Sequence, residues 1–279
     1  MTAAPVSSTR AFAGVGRLYG EAGLARLRGS RVCVVGVGGV GSWAAEALVR
    51  SGIGAITLID LDHVAESNLN RQVLALASTL GMAKVEAMRA RLLDIAPDCQ
   101  VDAIDAFIDT DNVAALVPGG CAVLDAIDAP RAKAALIALC ARRGQPLIVC
   151  GAAGARTDPL ALAVDDLARV RGDALLAGVR ARLRRDHGFP RETGRAFGVM
   201  AVHSRQSPIA RPGTGSGGPD TGSAGGAPLA CAGYGSIVTV TATLGMVAAA
   251  RLIDAIVAAP AAPRGHVACL IRRTASSPE

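Results

Sequence analysis

The sequence predicts an α/β fold: a Rossmann-like, doubly wound, mostly parallel β-sheet with an additional C-terminal α/β portion. Short apolar runs typical of strands alternate with helical patterns through the first 150 residues, as they do in parallel sheets. A glycine-rich turn also joins the first apolar run to a helix, which is the usual arrangement at a nucleotide site. We therefore expect a single domain over residues 1–279, with a disordered leader at 1–9, a flexible loop at 207–228 and a tail at 272–279.

The first strand is predicted over Val32–Val35, a β-branched apolar run. The turn after it has the pattern Gly-x-Gly-x-x-Gly, whose glycines let the backbone approach a phosphate and let the next helix pack against the sheet. The N-terminus of that helix then offers unpaired N–H groups and the positive end of its dipole to an anion. The glycines of this turn are Gly36, Gly38, Gly39 and Gly41.

A second apolar run, Ile56–Ile59, ends on Asp60, which is 19 residues beyond Gly41. A carboxylate at the end of the second strand of such a unit is placed to accept hydrogen bonds from ribose hydroxyls. An aspartate there could also simply cap the end of the strand. In the context of the glycine turn, the pattern predicts a nucleotide of the adenosine type.

The remaining elements are predicted from the periodicity of apolar residues along the chain. Helices are expected over Arg10–Arg28, Gly81–Ile95, Arg131–Arg142, Asp165–His187 and residues 234–256. Strands are expected over Cys99–Ala106, Cys121–Leu124, Pro146–Cys150 and His266–Ile271.

Composition and charge restrict the class of protein. The net charge of +6 fits a polyanionic partner such as RNA, but it also fits an ordinary soluble surface. The seven cysteines are odd in number and include no Cys-x-x-Cys pair, which argues against disulfides and structural zinc and favours a reducing cytoplasm. The longest uncharged apolar stretch, Ile237–Ala250, is shorter than a membrane span, so we expect a buried helix and no stable membrane insertion.

Three charged residues are predicted to lie around the carboxyl-terminal edge of the sheet. They are Arg71 in the loop after Asp60, Lys84 at the start of a helix, and Asp128 just after the strand Cys121–Leu124. Open α/β sheets bind ligands at this edge. Two cations and an acid suit a triphosphate with a divalent metal, and a nicotinamide would not require them.

With these motifs together, the chain resembles the E1-like (ubiquitin-activating) superfamily of ATP-dependent adenylating enzymes, and most of all its bacterial members that dehydrate threonylcarbamoyladenosine in tRNA. The resemblance covers nearly the whole chain and is weakest across residues 190–230. The segments that carry it are Arg17–Gly20, Val32–Leu48, Gly52–Asp62, Asn68–Gln72, Asp125–Asp128, Lys133–Ala138 and Val240–Gly245.

The resemblance implies a role for each site residue. Gly39 and its neighbours in the turn would face the nucleotide phosphates, and Asp60 would hold the ribose. Asp128 would hold Mg²⁺ or orient the phosphate under attack. Arg17 would reach into the site of a partner subunit, which implies a homodimer. Contacts to the triphosphate are implied for Asn68, Asn70, Arg71 and Lys84.

The reaction implied by the resemblance is an ATP-dependent cyclisation of the threonylcarbamoyl group through an acyl-adenylate. Its cofactors would be ATP and Mg²⁺, and the need for a monovalent cation stays open. Its partners would be a tRNA that carries threonylcarbamoyladenosine, a second copy of the chain and, in some settings, sulfur-relay proteins.

Several of these residues have structural alternatives. Arg71 and Lys84 could be surface charges, and Asp128 could cap the helix that opens at Ala129-Pro130. Cys231, just before the apolar helix, could be a reactive thiol or a buried structural cysteine. The arginines between Arg169 and Arg195 could bind tRNA phosphates or form an exposed helix face.

Three other functions are compatible with parts of the sequence. An adenylating enzyme for the C-terminus of a ubiquitin-like sulfur carrier would share the nucleotide site, but it usually carries Cys-x-x-Cys pairs. An NAD-dependent oxidoreductase would share the glycine turn without needing Arg71, Lys84 and Asp128. A non-catalytic scaffold could keep the fold alone.

Overall fold

The computed structural model describes residues 8–192, 194–209 and 235–258. The strands in these residues are β1 (Arg31–Val35), β2 (Ala55–Ile59), β3 (Gln100–Ile104), β4 (Ala122–Asp125), β5 (Leu147–Cys150), β6 (Leu162–Asp166) and β7 (Met200–Ser204). The helices are α1 (Ser8–Ala11), α2 (Ala13–Gly29), α3 (Gly41–Arg50), α4 (Lys84–Ile95), α5 (Val113–Leu116), α6 (Pro130–Arg143), α7 (Ala174–Asp186) and α8 (Val238–Ala258).

The seven described strands form one sheet in the order β3-β2-β1-β4-β5-β7-β6. Neighbouring strands are parallel except β6, which runs antiparallel to β7. The sheet is thus the predicted doubly wound, mostly parallel sheet, and β6 and β7 with α7 and α8 form the additional C-terminal portion.

Helices cover both faces of the sheet. On β1, Val32 and Val34 pack with α2, α3, α4 and α8, whereas Cys33 and Val35 face α5 and α6. A third cluster joins α6 and α7 to β5 and β7. Because both faces of the strands are buried, their sequences read as nearly continuous apolar runs rather than as alternating ones.

The elements predicted in the first 150 residues are confirmed, with shifts of one to three residues at most of their ends. α4 begins at Lys84 rather than at residue 81. α6 has Pro130 in its first turn and is followed by the C-cap residue Gly144, whose φ of +62° is the left-handed conformation favoured by glycine.

The predicted helix Asp165–His187 is wrong at its start. Asp165 and Asp166 belong to β6, and α7 begins only at Ala174, where the Asp173 side chain accepts a hydrogen bond from the Leu176 N–H at 2.9 Å. β6 and β7 were not predicted, because each is a short strand that pairs with a segment more than 30 residues away in the chain.

Other predicted segments lie partly or wholly outside the described residues. α1 begins at Ser8, inside the predicted leader, and the seven residues before it are not described. The predicted strand His266–Ile271, Cys231 and most of the predicted loop at 207–228 also lie outside.

The apolar helix α8 is a core helix, in agreement with the prediction. It is the one described helix that is long and apolar enough to cross a membrane, although a core helix of a soluble protein meets the same criterion. Val240, Leu244 and Ala248 are fully buried, and a Cβ on Gly245 would overlap the carbonyl oxygen of Val40. α8 therefore packs directly against the start of α3, behind the glycine turn.

Candidate functional site

The order of the strands creates a crevice between β1 and β4. From β1 the chain moves outward through β2 and β3, and from β4 it moves the opposite way through β5. Ligands of open α/β sheets bind at such a switch point, at the carboxyl ends of the strands. The register pairs Val35 with Ile59 on one side and with Asp125 on the other. The residues that follow these three, Gly36, Asp60 and Ala126, therefore lie side by side.

Two glycines of the turn are required by close backbone contacts. Gly36 has φ +86°, and a Cβ on it would lie 2.9 Å from the carbonyl carbon of Ala126. A Cβ on Gly41 would overlap the carbonyl oxygen of Gly36. A larger residue would fit at neither position without moving the backbone. The turn is thus held tightly against the loop that follows β4.

The start of α3 is open to a ligand. Within the described residues no side chain caps this helix, whose N-cap residue is Val40. The Ser42 N–H donates to the Gly38 carbonyl at 3.1 Å, and the other N–H groups of the first turn are available to an anion. Gly39 lies under the stem of Arg71, because a Cβ on it would lie 3.2 Å from Cγ and Cδ of that arginine. Beside Gly38, the nearest atom to such a Cβ is Nε2 of Gln72, at 3.9 Å.

Asp60 connects the end of β2 to the glycine turn. One carboxylate oxygen accepts the Val37 N–H at 2.6 Å, and the other accepts the Asp62 N–H at 2.9 Å. Burial raises the pKa of Asp60, and the positive charge of Lys84 and these two hydrogen bonds oppose the rise. The carboxylate therefore holds the local backbone and still has acceptor positions for a ribose, because two oxygens offer about four lone-pair sites.

Lys84 is not an ordinary surface charge. Its side chain is only 6% exposed, and Nζ lies 2.6 Å from Oδ2 of Asp62, which is 74% exposed. That contact uses one of three N–H groups, and the described residues supply no hydrogen-bond partner for the other two. The sequence analysis missed Asp62, although it lies in the segment that carries the family resemblance.

Arg71 lies beside Gly39 of the glycine turn, and its predicted contact to a triphosphate stays a prediction. Its Nη1 donates to the Ser67 carbonyl at 2.6 Å and to Oδ1 of Asn70 at 3.0 Å. Among the described residues, Nε and Nη2 have no partner. The Arg71 carbonyl accepts the indole N–H of Trp43 at 2.9 Å, which fixes the backbone of this segment to α3.

The two asparagines near Arg71 have structural contacts of their own. Asn68 is buried and accepts the Ala65 N–H at 3.1 Å, which closes the short 3₁₀ helix Glu66–Asn68. Asn70 donates from Nδ2 to the Ser236 carbonyl at 2.8 Å. Their predicted contacts to a triphosphate stay predictions.

Asp128 is exposed in the loop between β4 and α6, and it has no hydrogen bond or ion pair among the described residues. The alternative that it caps α6 is wrong, since the N-cap residue is Ala129 and no side chain caps that helix. The described residues contain no group of three His, Cys, Asp or Glu side chains that could hold a metal by themselves. A cation at Asp128 would therefore depend on ligands from the substrate.

Sequence reasoning missed one buried pair beneath this loop. Lys133 and Asp125 both have fully buried side chains, with Nζ 2.8 Å from Oδ1. The available signal was a lysine in the first turn of the helix, directly before the apolar run Ala134–Cys140.

Arg17 is not brought to the crevice within one chain. It is exposed on α2, and the described residues give it no hydrogen bond or ion pair. Its predicted role depends on a second subunit and stays a prediction.

The arginine-rich region is divided by the fold. Arg169 and Arg171 precede α7, and the others lie on or after it. At the C-terminal end of α7, arginines line an open cavity of about 480 Å³: Arg184, Arg185, Arg191 and Arg195. The Arg184 guanidinium lies 5.1 Å from the ring centre of Phe197, which packs edge-to-face on Phe189. This cavity lies near the start of β7, at the amino edge of the parallel strands and opposite the crevice.

Residues 12–270 match the model of the ThiF family. The tRNA threonylcarbamoyladenosine dehydratase of Escherichia coli (strain K12) is 44% identical over 250 residues, which are 88% of this chain and 93% of that protein. A crystal structure of the E. coli tRNA N6-threonylcarbamoyladenosine dehydratase in complex with ATP has a TM-score of 0.79 to this chain. That pair is 42% identical, and the match covers 89% of this chain and 94% of the other.

A relative named as an adenylyltransferase matches much less of the chain. The molybdopterin-synthase adenylyltransferase of Salmonella typhimurium is 40% identical over 122 residues, which are 44% of this chain and 49% of that protein.

Proposed function

The chain belongs to the ThiF family of E1-like adenylating enzymes, and on that premise we propose that it is an ATP-dependent dehydratase of N6-threonylcarbamoyladenosine in tRNA. The observation that carries the proposal is the set of unpaired groups at the β1–β4 crevice. Judged by the described residues, the uncapped start of α3 and the spare N–H groups of Arg71 and Lys84 surround the glycine turn, and the carboxylate of Asp128 is free on the adjacent loop. These groups suit a triphosphate that is to be cleaved.

The reaction has two steps. The carboxylate of the threonylcarbamoyl group attacks the α-phosphate of ATP, the bond to pyrophosphate breaks, and an acyl-adenylate remains. The urea part of the same group then attacks the activated carbonyl and loses a proton. AMP leaves with one of the carboxylate oxygens, so the nucleoside loses one water overall. Because the second step closes a five-membered ring within one group, it has a high effective molarity and needs no enzymic nucleophile.

The residues divide this work by position. The start of α3, with Gly38 and Gly39, binds the phosphates, and Asp60 binds the ribose. Arg71 and Lys84 neutralise charge on the triphosphate, where two cations favour the departure of pyrophosphate. Asn68 and Asn70 hold the backbone around Arg71 in place, and their polar side chains lie near the proposed triphosphate site.

Mg²⁺ is part of the proposal and fits the site. A single free carboxylate, Asp128, suits this ion, which usually binds one or two carboxylates together with phosphates and water. When bound, it would supply positive charge to the phosphates. A requirement for a monovalent cation is a separate question, answered by comparing activity in Na⁺, K⁺ and a large organic cation.

We place the tRNA along α7, with its modified adenosine in the crevice. The four arginines of the cavity and the Phe189–Phe197 pair offer charge and ring faces to an RNA backbone. Arg185 and Arg195 also pair with Asp186 and Glu192, so the net positive charge comes mainly from Arg184 and Arg191. An RNA that reaches from this cavity to the crevice spans at least the height of a five-residue strand, roughly 17 Å, and also passes β5, which separates β7 from β4.

The proposed assembly is a homodimer in which Arg17 of each subunit reaches the other's crevice. We also propose the cytoplasm as its compartment, because the five cysteines of the described part of the chain are free and buried. Sedimentation of the protein with and without ATP tests the dimer. Sulfur-relay proteins are candidate partners, and co-sedimentation tests them in the same way.

The deciding experiment incubates the protein with ATP and tRNA that carries threonylcarbamoyladenosine, followed by mass analysis of the nucleosides. The expected product is the nucleoside lighter by one water, and its formation requires ATP. An unchanged nucleoside would overturn the assignment. The main rival function is adenylation of the C-terminus of a ubiquitin-like sulfur carrier. Pyrophosphate exchange is therefore measured with the modified tRNA and, separately, with a carrier that ends in Gly-Gly. Exchange with the carrier but not with the tRNA would favour the rival function.

A further inference from the structure

Beneath the crevice, Lys133 meets three oxygens at one point. Its Nζ lies 2.8 Å from Oδ1 of Asp125, 2.9 Å from the Ile127 carbonyl and 3.3 Å from the Asp125 carbonyl. An ammonium has three N–H donors and no acceptor, so these contacts use it completely. Both side chains are 0% exposed, and the pair is therefore fully removed from water.

The pair organises the loop that leads to Asp128. Oδ1 of Asp125 also accepts the Ile127 N–H at 3.1 Å, so one carboxylate oxygen and one ammonium hold both polar groups of the Ile127 backbone. Between them, Ala126 donates to the Val35 carbonyl at 2.8 Å and packs against Gly36. The loop is thus fixed to the glycine turn on one side and to Lys133 on the other, one residue before Asp128.

Stability alone does not account for this arrangement. Buried ion pairs are costly to desolvate, and apolar residues of the same volume are often as stable. Oδ2 of Asp125 is buried without a hydrogen-bond partner from any described residue, which is a further cost. An apolar residue at position 133 would also leave the Ile127 carbonyl without a donor. The pair provides a fixed backbone conformation in residues 125–128 that an apolar core would not provide.

We propose that Lys133 is a positioning residue for adenylation, acting through Asp125 and the Ile127 backbone to hold Asp128 at the phosphates. The proposal rests on the proposed function only for the identity of the reaction. Asp60 and the start of α3 belong to β2 and to the β1 turn, and they do not depend on Lys133. Loss of Lys133 should therefore affect the Mg²⁺-dependent part of ATP binding and turnover, and leave AMP binding nearly intact.

The test compares wild type with Lys133→Met and with the double variant Lys133→Met/Asp125→Asn, which removes both charges and leaves no buried charge unpaired. Ile137→Ala is the matched control, since Ile137 is buried one turn later on α6 and packs toward α7 instead of the loop. The measurements are melting temperature, affinity for AMP, affinity for ATP with and without Mg²⁺, and dehydration of tRNA.

We expect Lys133→Met to lower the dehydration rate by about 10- to 100-fold and to abolish most of the gain in ATP affinity from Mg²⁺. AMP affinity should stay within about threefold, because the adenosine and α-phosphate contacts remain. The double variant should recover melting temperature without recovering rate. Ile137→Ala should lower the melting temperature and keep the rate of the folded protein.

Recovery of the rate together with the melting temperature in the double variant would overturn the proposal, because the pair would then be structural only. So would a Lys133→Met protein that is folded and keeps its Mg²⁺-dependent ATP affinity. If wild type forms no dehydrated nucleoside while Lys133→Met still loses the Mg²⁺-dependent gain, the proposed function fails and the positioning role stands.

Discussion

The carboxyl edge of the sheet holds two buried cation–carboxylate pairs whose surroundings differ. Lys133 and Asp125 lie under the β1–β4 crevice. Arg156 and Asp173 lie beside β5, with Nη2 3.9 Å from Oδ2. Arg156 also donates to four backbone carbonyls in three loops: those of Ala152, Gly154, Gly172 and Gln206.

Around Arg156 the polar groups are satisfied by one another. Asp173 accepts the Leu176 N–H at the start of α7 and the Ala152 N–H after β5, both at 2.9 Å. Near Lys133, by contrast, Asp128 has no partner in the described part of the chain, and across the crevice Arg71 and Lys84 keep donors that no described residue uses. We infer from this difference that Arg156 stabilises the loops whose polar groups it satisfies. Lys133, in contrast, fixes a loop that carries a polar group available to a ligand.

The largest expected effect is a loss of stability when the Arg156–Asp173 pair is broken. Arg156→Met should lower the free energy of unfolding by about 3–5 kcal/mol, because Asp173 and four carbonyls lose their partner. Urea unfolding measures it. The ATP affinity of the folded protein at low temperature should be unchanged, in contrast to Lys133→Met. Arg142→Met, an exposed change on α6, should cost less than about 0.5 kcal/mol. A clear loss of ATP affinity in Arg156→Met would break the comparison.

The second effect concerns the crevice alone. Asp128→Asn should reduce ATP-dependent dehydration by about 100-fold or more, since it removes the charge that we propose to face the reacting phosphates. Its unfolding free energy should stay within about 0.5 kcal/mol of wild type, because the side chain is exposed and contacts no polar group of the described residues. Asp98→Asn, exposed at the opposite edge, is the control and should keep full activity. A stable, fully active Asp128→Asn protein would remove this residue from the mechanism.

A third measurement asks whether the crevice is complete within one chain. Arg17→Ala and Asp128→Asn proteins should each be nearly inactive, yet an equal mixture that exchanges subunits should regain about a quarter of wild-type activity. Half of randomly paired dimers are mixed, and each mixed dimer has one site with both residues intact. If Arg17 acts on its own chain, the mixture recovers nothing.

The smallest effect is expected at the far edge of the sheet. Arg191→Ala should raise the KM for tRNA about two- to tenfold, leave kcat unchanged and reduce the salt dependence of binding by about one ion. Arg142→Ala serves as the matched control on α6. An unchanged salt slope in Arg191→Ala would move the tRNA away from the α7 cavity.

The sequence alone predicted much of the nucleotide half of the molecule. The strand before the glycine turn, the turn itself, the helix after it, and β2 with the acid at its end are local patterns within some 30 residues. Such patterns can be recognised in a sequence because each residue type is favoured by the local backbone conformation. Gly36 has a positive φ, which glycine tolerates, and Pro130 lies in the first turn of a helix, where proline is accepted.

Tertiary structure decided the features that depend on residues distant in the chain or on burial. β6 and β7 are strands only because they pair with each other across more than 30 residues, and the polar residues of β6 looked like the start of a helix. The sequence predicts that Lys84 and Lys133 lie in helices. Only the structure shows that both side chains are buried, and that Asp62 pairs with Lys84 and Asp125 with Lys133. A charge buried in low dielectric must find a partner, and the sequence does not state which residue the fold will bring to it.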